Sequence, residues 1–164
     1  MFQIKEITQE YLNSLFEYKD GNLFWKISKG NRKAGDLCGN FNSNGYSQIK
    51  LNSSIVKTHR VIFAMHNGFM PKIVDHIDGN KANNKIENLR EATSSQNNLN
   101  AKIRKDNKIG IKGISFCKHH KKFRVSMNVY GKIKSLGYFK DLELADLVSN
   151  EARNKYHKEF ANNG

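Results

Sequence analysis

Between Ile73 and Gln96 the chain reads as strand, polar loop, strand and capped helix, and this order constrains the fold more than any other feature. Ile73-Val74-Asp75-His76-Ile77 has the make-up of a strand, and a loop crowded with Asn and Gly follows it. Leu89-Arg90-Glu91-Ala92 returns as a second strand. Thr93-Ser94-Ser95-Gln96 is then a capping box, with Thr93 as N-cap and Gln96 reaching back, so a helix is expected to about Ala101 or beyond.

Upstream, Thr8 caps a short helix whose Tyr11, Leu12, Leu15 and Phe16 share one face. Asp20-Gly21-Asn22 signals a turn into a strand over Leu23–Ile27. The stretch from Ser28 to Gly45 reads as a long loop, with room for a short strand near Leu37. Gly45–Leu51 alternates as a half-buried strand, and Ile55–Thr58 can pair with it. Val61, Ile62, Ala64 and Met65 predict a short buried helix ending before Gly68.

Downstream of a basic, polar linker come three strand candidates, around 113–118, 122–130 and 132–139. Asp141 then caps a helix in which Leu144, Val148, Ala152 and Tyr156 recur at every fourth position. Its acids come early and its bases late, as the helix dipole prefers.

Charge narrows the partner. The 164 residues carry a formal charge of +13, which points first to nucleic acid. From Asn98 to Lys140 there are twelve Lys and Arg against the single acid Asp106, so this stretch holds +11 of that excess. No apolar run approaches the roughly 20 residues that span a bilayer, and the start lacks a secretory layout. A cytoplasmic protein of a bacterial or phage-infected cell, with no membrane partner, is expected. Cys38 and Cys117 stand far apart without Cys-x-x-Cys partners, so neither a disulfide framework nor a structural zinc is expected.

The Asp75-His76 pair suits phosphodiester hydrolysis. An imidazole with a pKa of about 6.5 accepts a proton near neutrality. Asp75 offers a carboxylate oxygen to a hard cation, and Asn97 in the capped helix offers an amide oxygen. Neighbours on a strand point to opposite faces, so both reach one substrate only where the backbone lies across the strand's exposed end.

The run from Val74 to Thr93, with Asp75-His76, Asp78-Gly79-Asn80, Asn88-Leu89-Arg90 and the later Asn97, closely resembles the core of HNH homing endonucleases, phage-encoded ones in particular. The resemblance implies a ββα-metal core holding one divalent cation, Mg2+ first and Mn2+ second, with no small-molecule cofactor. It makes Asp75 and Asn97 metal ligands and His76 the general base, with Asn88 fixing the loop through backbone groups. Many members carry His where this chain has Asn97. Leu23-Phe24-Trp25-Lys26, Asn44-Gly45-Tyr46 and His59-Arg60 look like the leader of small phage HNH proteins. Arg60 and His59 are candidates to approach a phosphate, against a buried, satisfied His59 as the competing reading.

The C-terminal part resembles the DNA-binding domain of plant ethylene-response transcription factors, through 110–116, Phe123-Arg124-Val125 and Leu136-Gly137-Tyr138-Phe139. That family lays a three-stranded sheet in the major groove, with Trp common where this chain has Phe116 and Phe123. Lys112, Lys118, Lys122, Arg124, Lys132 and Lys134 are the candidate DNA contacts, Arg124 being the one suited to guanine.

The expected fold class is therefore α+β: a ββα-metal (HNH, His-Me finger) nuclease core with N-terminal strands, plus a small three-stranded antiparallel sheet with one helix. The expected domains are a nuclease domain over 1–101 with its core at 72–101, a linker over 102–109 and a DNA-binding module over 110–164. The expected function is hydrolysis of duplex DNA by a phage-type homing or nicking endonuclease, acting as a monomer. A catalytically inactive sequence-specific DNA-binding protein and a broad-range nuclease are the alternatives.

Overall fold

The computed structural model describes residues 7–101, 103, 106–129 and 131–161. Within the expected linker, Lys102, Arg104 and Lys105 lie outside the described residues, as does Tyr130 at the end of the second strand expected downstream. The chain divides into two compact units, Met1–Ala92 and Thr93–Gly164.

The first unit opens with α1, Gln9–Leu15, whose N-cap Thr8 accepts a hydrogen bond from the Tyr11 N–H. Phe16 leaves the helix and starts β1, Phe16–Lys19, which pairs with β2, Asn22–Trp25. The two-residue turn between them has Asp20 at φ 46° and Gly21 at φ 84°, the left-handed pair that matches hairpin twist. A Cβ on Gly21 would also meet the Lys85 backbone nitrogen at 3.0 Å.

β3 (Asn40–Phe41), β4 (Ser47–Leu51) and β5 (Ser54–Lys57) form one antiparallel sheet in that order. Ser47, Ile49 and Leu51 turn inward along β4. α2, Thr58–Asn67, follows β5 directly and stops at Gly68, which takes φ 80° and donates its N–H to the Ala64 carbonyl. β6 (Val74–His76) and β7 (Leu89–Glu91) complete the unit as a hairpin, with a 3-10 turn at Ile86–Asn88 just before β7. Leu12, Phe16, Leu23, Ile49, Leu51, Val61, Ile62, Val74 and Leu89 share one core, so α1, α2 and all three sheets rest on the same apolar centre. Cys38 lies in that core as a free thiol, pushed by burial up to about 12, while Cys117 in the second unit is also free.

In the second unit, α3 (Ser94–Leu99) begins at the capping box: Thr93 accepts from the Gln96 N–H, and Gln96 Oε1 accepts from the Thr93 N–H. β8 (Ile114–Cys117), β9 (Lys122–Val129) and β10 (Lys132–Phe139) form an antiparallel sheet with β9 in the middle. The register of β9 and β10 shifts between Ser135 and Gly137, where Gly137 sits at φ 132°. α4, Leu142–His157, packs on β9, and Asp141 caps it by accepting from the Leu144 N–H.

The buried stripe of α4 runs through Ala145, Ser149, Arg153 and His157, one position along from the apolar series at Leu144, Val148, Ala152 and Tyr156. Leu144 and Leu147 are about half exposed. The reason is polar. The Lys112 carbonyl accepts from Ser149 Oγ and from Arg153 Nη1, and His157 Nε2 bonds to the Asn128 carbonyl at 2.8 Å. Backbone groups at the sheet's margin thus select donors for the buried face over leucines.

Candidate active site

The β6–β7 hairpin has three residue pairs, Val74 with Glu91, Asp75 with Arg90 and His76 with Leu89. The two-residue period of a strand sends the Asp75 and His76 side chains to opposite faces. Both are buried, at 6% and 4% exposure. On one face, Arg90 Nε and Nη2 donate to Asp75 Oδ2 at 3.1 and 2.9 Å. This ion pair lies almost out of water, where removing either member strands the other charge.

On the other face, His76 Nε2 stands 3.0 Å from Oδ1 of Asn84, itself buried. An amide oxygen only accepts, so Nε2 carries the proton and the Nδ1 lone pair is the basic one. The His59 ring meets the His76 ring edge to face at 4.7 Å, and the Tyr46 ring lies 6.1 Å from it. Burial raises the Tyr46 hydroxyl above its usual range, with the Asp75 carboxylate adding to the effect. His59, in the first turn of α2, is pushed down to about 3 by burial, aided by His76, Lys57 and Arg60. Among the described residues its Nδ1 is buried without a hydrogen-bond partner, so the His59 ring is buried with one nitrogen unsatisfied.

Asn88 organises the intervening loop. Its Oδ1 accepts from the Asp78 N–H at 3.0 Å, and its Nδ2 donates to Asp78 Oδ1 and to the Asn83 carbonyl at 2.9 and 2.8 Å. Asp78 also accepts from the Asn80 N–H and from Asn83 Nδ2. Partial burial pushes its carboxyl up, but the bonds from Asn83, Asn80 and Asn88 outweigh that and hold it below the usual range.

Asn97 sits on α3, in the second unit. Among the other candidates, Arg60 donates from Nη2 to the Pro71 carbonyl at 3.0 Å. Lys112 turns inward: its Nζ donates to the Leu99 and Ala101 carbonyls, and burial with Arg153 nearby pushes it down to about 8. Lys122 and Arg124 alternate with the core residues Phe123 and Val125, which places them on the sheet face away from α4. Arg124 pairs with Ser115 and Tyr138, and among the described residues its Nε is buried without a hydrogen-bond partner. Lys134 is in register with inward-facing Met127 and its Nζ donates to the Tyr156 hydroxyl, on the α4 side. Lys132 pairs with Val129, on that same side by register, and Lys118 lies in the β8–β9 turn. The basic residues of this sheet are therefore split between its two faces.

In the sequence Asn84 has no mark at all, and Arg90 and Tyr46 stand in its motifs without a site role of their own. Arg90 was within reach: a hairpin placing His76 opposite Leu89 sets Arg90 beside Asp75. Asn84 carried no such signal, because its approach to His76 depends on how the loop closes.

Comparison with known proteins bears on the segment that holds these residues. Residues 56–99 match the family described as HNH endonuclease, and they include β6, β7 and the loop between them. The chain thus carries an HNH endonuclease domain, the mark of a nuclease that takes DNA as substrate, and HNH nucleases generally work with a divalent metal. Protein 3.8 of Escherichia phage T7 is 33% identical over 109 residues, which cover 64% of this chain and 88% of the relative. The chain belongs to the same family as that phage protein. No solved structure matches it. Among the described residues no helix is long and apolar enough to cross a membrane.

Proposed function

We propose that this chain is a phage-type homing or nicking endonuclease that hydrolyses a phosphodiester of duplex DNA, with His76 as general base. The observation that carries the reading is the His76–Asn84 bond at 3.0 Å, which assigns the proton to Nε2 and the basic lone pair to Nδ1 within the HNH segment. Asn88 would hold the loop that presents His76. Asp75 and Asn97 are the proposed metal ligands, Asn97 on sequence spacing alone.

The donor chemistry fits a hard cation. Among the described residues no group of three or more His, Cys, Asp or Glu could gather round a metal. One carboxylate with amide, water and phosphate oxygens suits Mg2+, which keeps much of its hydration, and Mn2+ less specifically. Two Arg90 bonds fall on Oδ2 of Asp75, and a carboxylate has about four lone-pair sites, so these bonds are compatible with ligation. When bound, such an ion neutralises charge growing on the leaving oxygen. Arg90 orients Asp75, Asn84 accepts the hydrogen bond from His76 Nε2–H, and His76 Nδ1 takes the proton from the attacking water.

The second unit, with its basic sheet, is proposed to hold the duplex through Lys118, Lys122 and Arg124, in the manner of the plant ethylene-response domain it resembles, while Lys132 lies on the opposite, α4-facing side. Incubation of supercoiled plasmid with the protein and magnesium tests the reading. Open-circle product that EDTA abolishes is expected. Intact plasmid together with salt-sensitive binding would make the chain a binding protein, and degradation of any nucleic acid would make it a broad-range nuclease. In the same assay Asn84→Ala is expected to lower the single-turnover rate about tenfold, since it leaves the buried His76 Nε2–H without its acceptor, at a cost of about 1–3 kcal/mol.

A further inference from the structure

The first unit gathers positive charge that the proposed chemistry does not use. Lys57 Nζ lies 4.0 Å and Lys81 Nζ 4.8 Å from the centroid of the Tyr46 ring. They come from different elements: Lys57 is the N-cap residue of α2, and Lys81 sits in the loop between β6 and β7, where its Nζ donates to the Asn44 carbonyl at 3.1 Å. Arg60 stands in the first turn of α2, and among the described residues its Nε is buried without a hydrogen-bond partner. Among the described residues, none of the three is paired with a carboxylate.

Left alone, this arrangement is unfavourable. Two ammonium groups share one aromatic ring, and like charges repel. The Lys57 ammonium is held below its usual range by partial burial, then by Arg60 and Lys81. The dipole of α2 adds positive potential at the same end, the first turn holds no acid, and Lys57 makes no side-chain cap bond. Cations ordinarily gather at the other end of a helix. One anion seated here would offset all of these repulsions together. The place adjoins the candidate base, because the Tyr46 ring lies 5.4 Å from His59 and 6.1 Å from His76.

We propose that Lys57 and Lys81, gathered round Tyr46, together with Arg60 in the same first turn of α2, form a clamp for one backbone phosphate of the DNA, beside the phosphodiester on which His76 acts. The inference rests on the nuclease reading of His76 and adds to it a seat for the substrate. The aromatic ring sets the height of both ammonium groups, and Arg60 adds a charge that stays fixed at every working pH.

Duplex binding by the full chain in EDTA, followed across a salt series, tests the clamp. Loss of one phosphate contact makes the slope of log affinity against log salt shallower by about 0.9. Lys57→Gln with Lys81→Gln is expected to show that change, with each single variant showing part of it. Lys33→Gln, an exposed lysine in the loop after β2, is the control and is expected to keep the full slope. An unchanged slope in the double variant overturns the clamp, and so does an equal change in the control. A shifted slope together with plasmid left intact by the wild-type protein and magnesium would leave the clamp standing and sink the nuclease reading.

Discussion

Replacing His76 by alanine is expected to slow cleavage of duplex DNA by about 100- to 10,000-fold, the span that a positioned general base supplies. The expectation follows from the direction of one bond. Asn84 Oδ1 accepts the hydrogen bond donated by Nε2–H, and this leaves Nδ1 to accept the proton of the attacking water. Because His76 is buried, alanine also removes packing, and a collapsed site would lower the rate for a trivial reason. His76→Gln separates the two effects. Glutamine keeps much of the bulk and a donor that can turn toward Asn84, but has no basic lone pair at working pH. It should be as slow as alanine while melting within a few degrees of wild type. Single-turnover nicking with magnesium reads the rate, and a glutamine variant cutting at nearly the wild-type rate would remove His76 from the chemistry.

Acid is expected to weaken the first unit steeply, through His59. The folded imidazole is pushed down to about 3, against 6.5 when it is free. Between those values the unfolded chain holds a proton that the folded chain refuses. Stability is therefore full above pH 6.5 and falls as the pH drops toward 3, by up to about 1.4 kcal/mol per pH unit. By pH 5 this amounts to about 2 kcal/mol. Burial is the main cause, and the neighbouring His76, Lys57 and Arg60 oppose a further positive charge. His59→Phe keeps a ring against Tyr46 and His76 and removes the titration. Urea midpoints at pH 7, 6 and 5 should fall for wild type and fall less for the variant, by about one proton's worth of slope. Parallel pH profiles for the two proteins would mean that His59 does not refuse the proton.

Local chemistry explains which features the sequence disclosed. Thr8, the Asp20-Gly21 turn, the Thr93–Gln96 box and Asp141 each act on atoms a few residues away, and each stands where its side chain predicts. Features that depend on distant partners were harder. Phe16 fits the helical face of α1, yet it begins β1 because pairing with Trp25 across the hairpin decides its conformation. The buried side of α4 is displaced by one residue because the Lys112 carbonyl needs donors that no hydrophobic periodicity announces. At the site, the motif marked Asp75, His76 and Asn88, whereas Arg90, Asn84 and Tyr46 depend on register, loop closure and sheet geometry.

The loop between β6 and β7 takes its shape from Asp78, Asn80, Asn83 and Asn88, each bonding within a few residues. Its form therefore resides in a handful of positions, and an exposed side chain at an intervening position that bonds neither this scaffold nor His76 can be exchanged without changing the loop. Lys81 is one of those intervening positions, close to the candidate base yet outside the Asp and Asn scaffold. A lineage could thus retune how it grips DNA by exchanging that side chain, without disturbing the frame that presents His76.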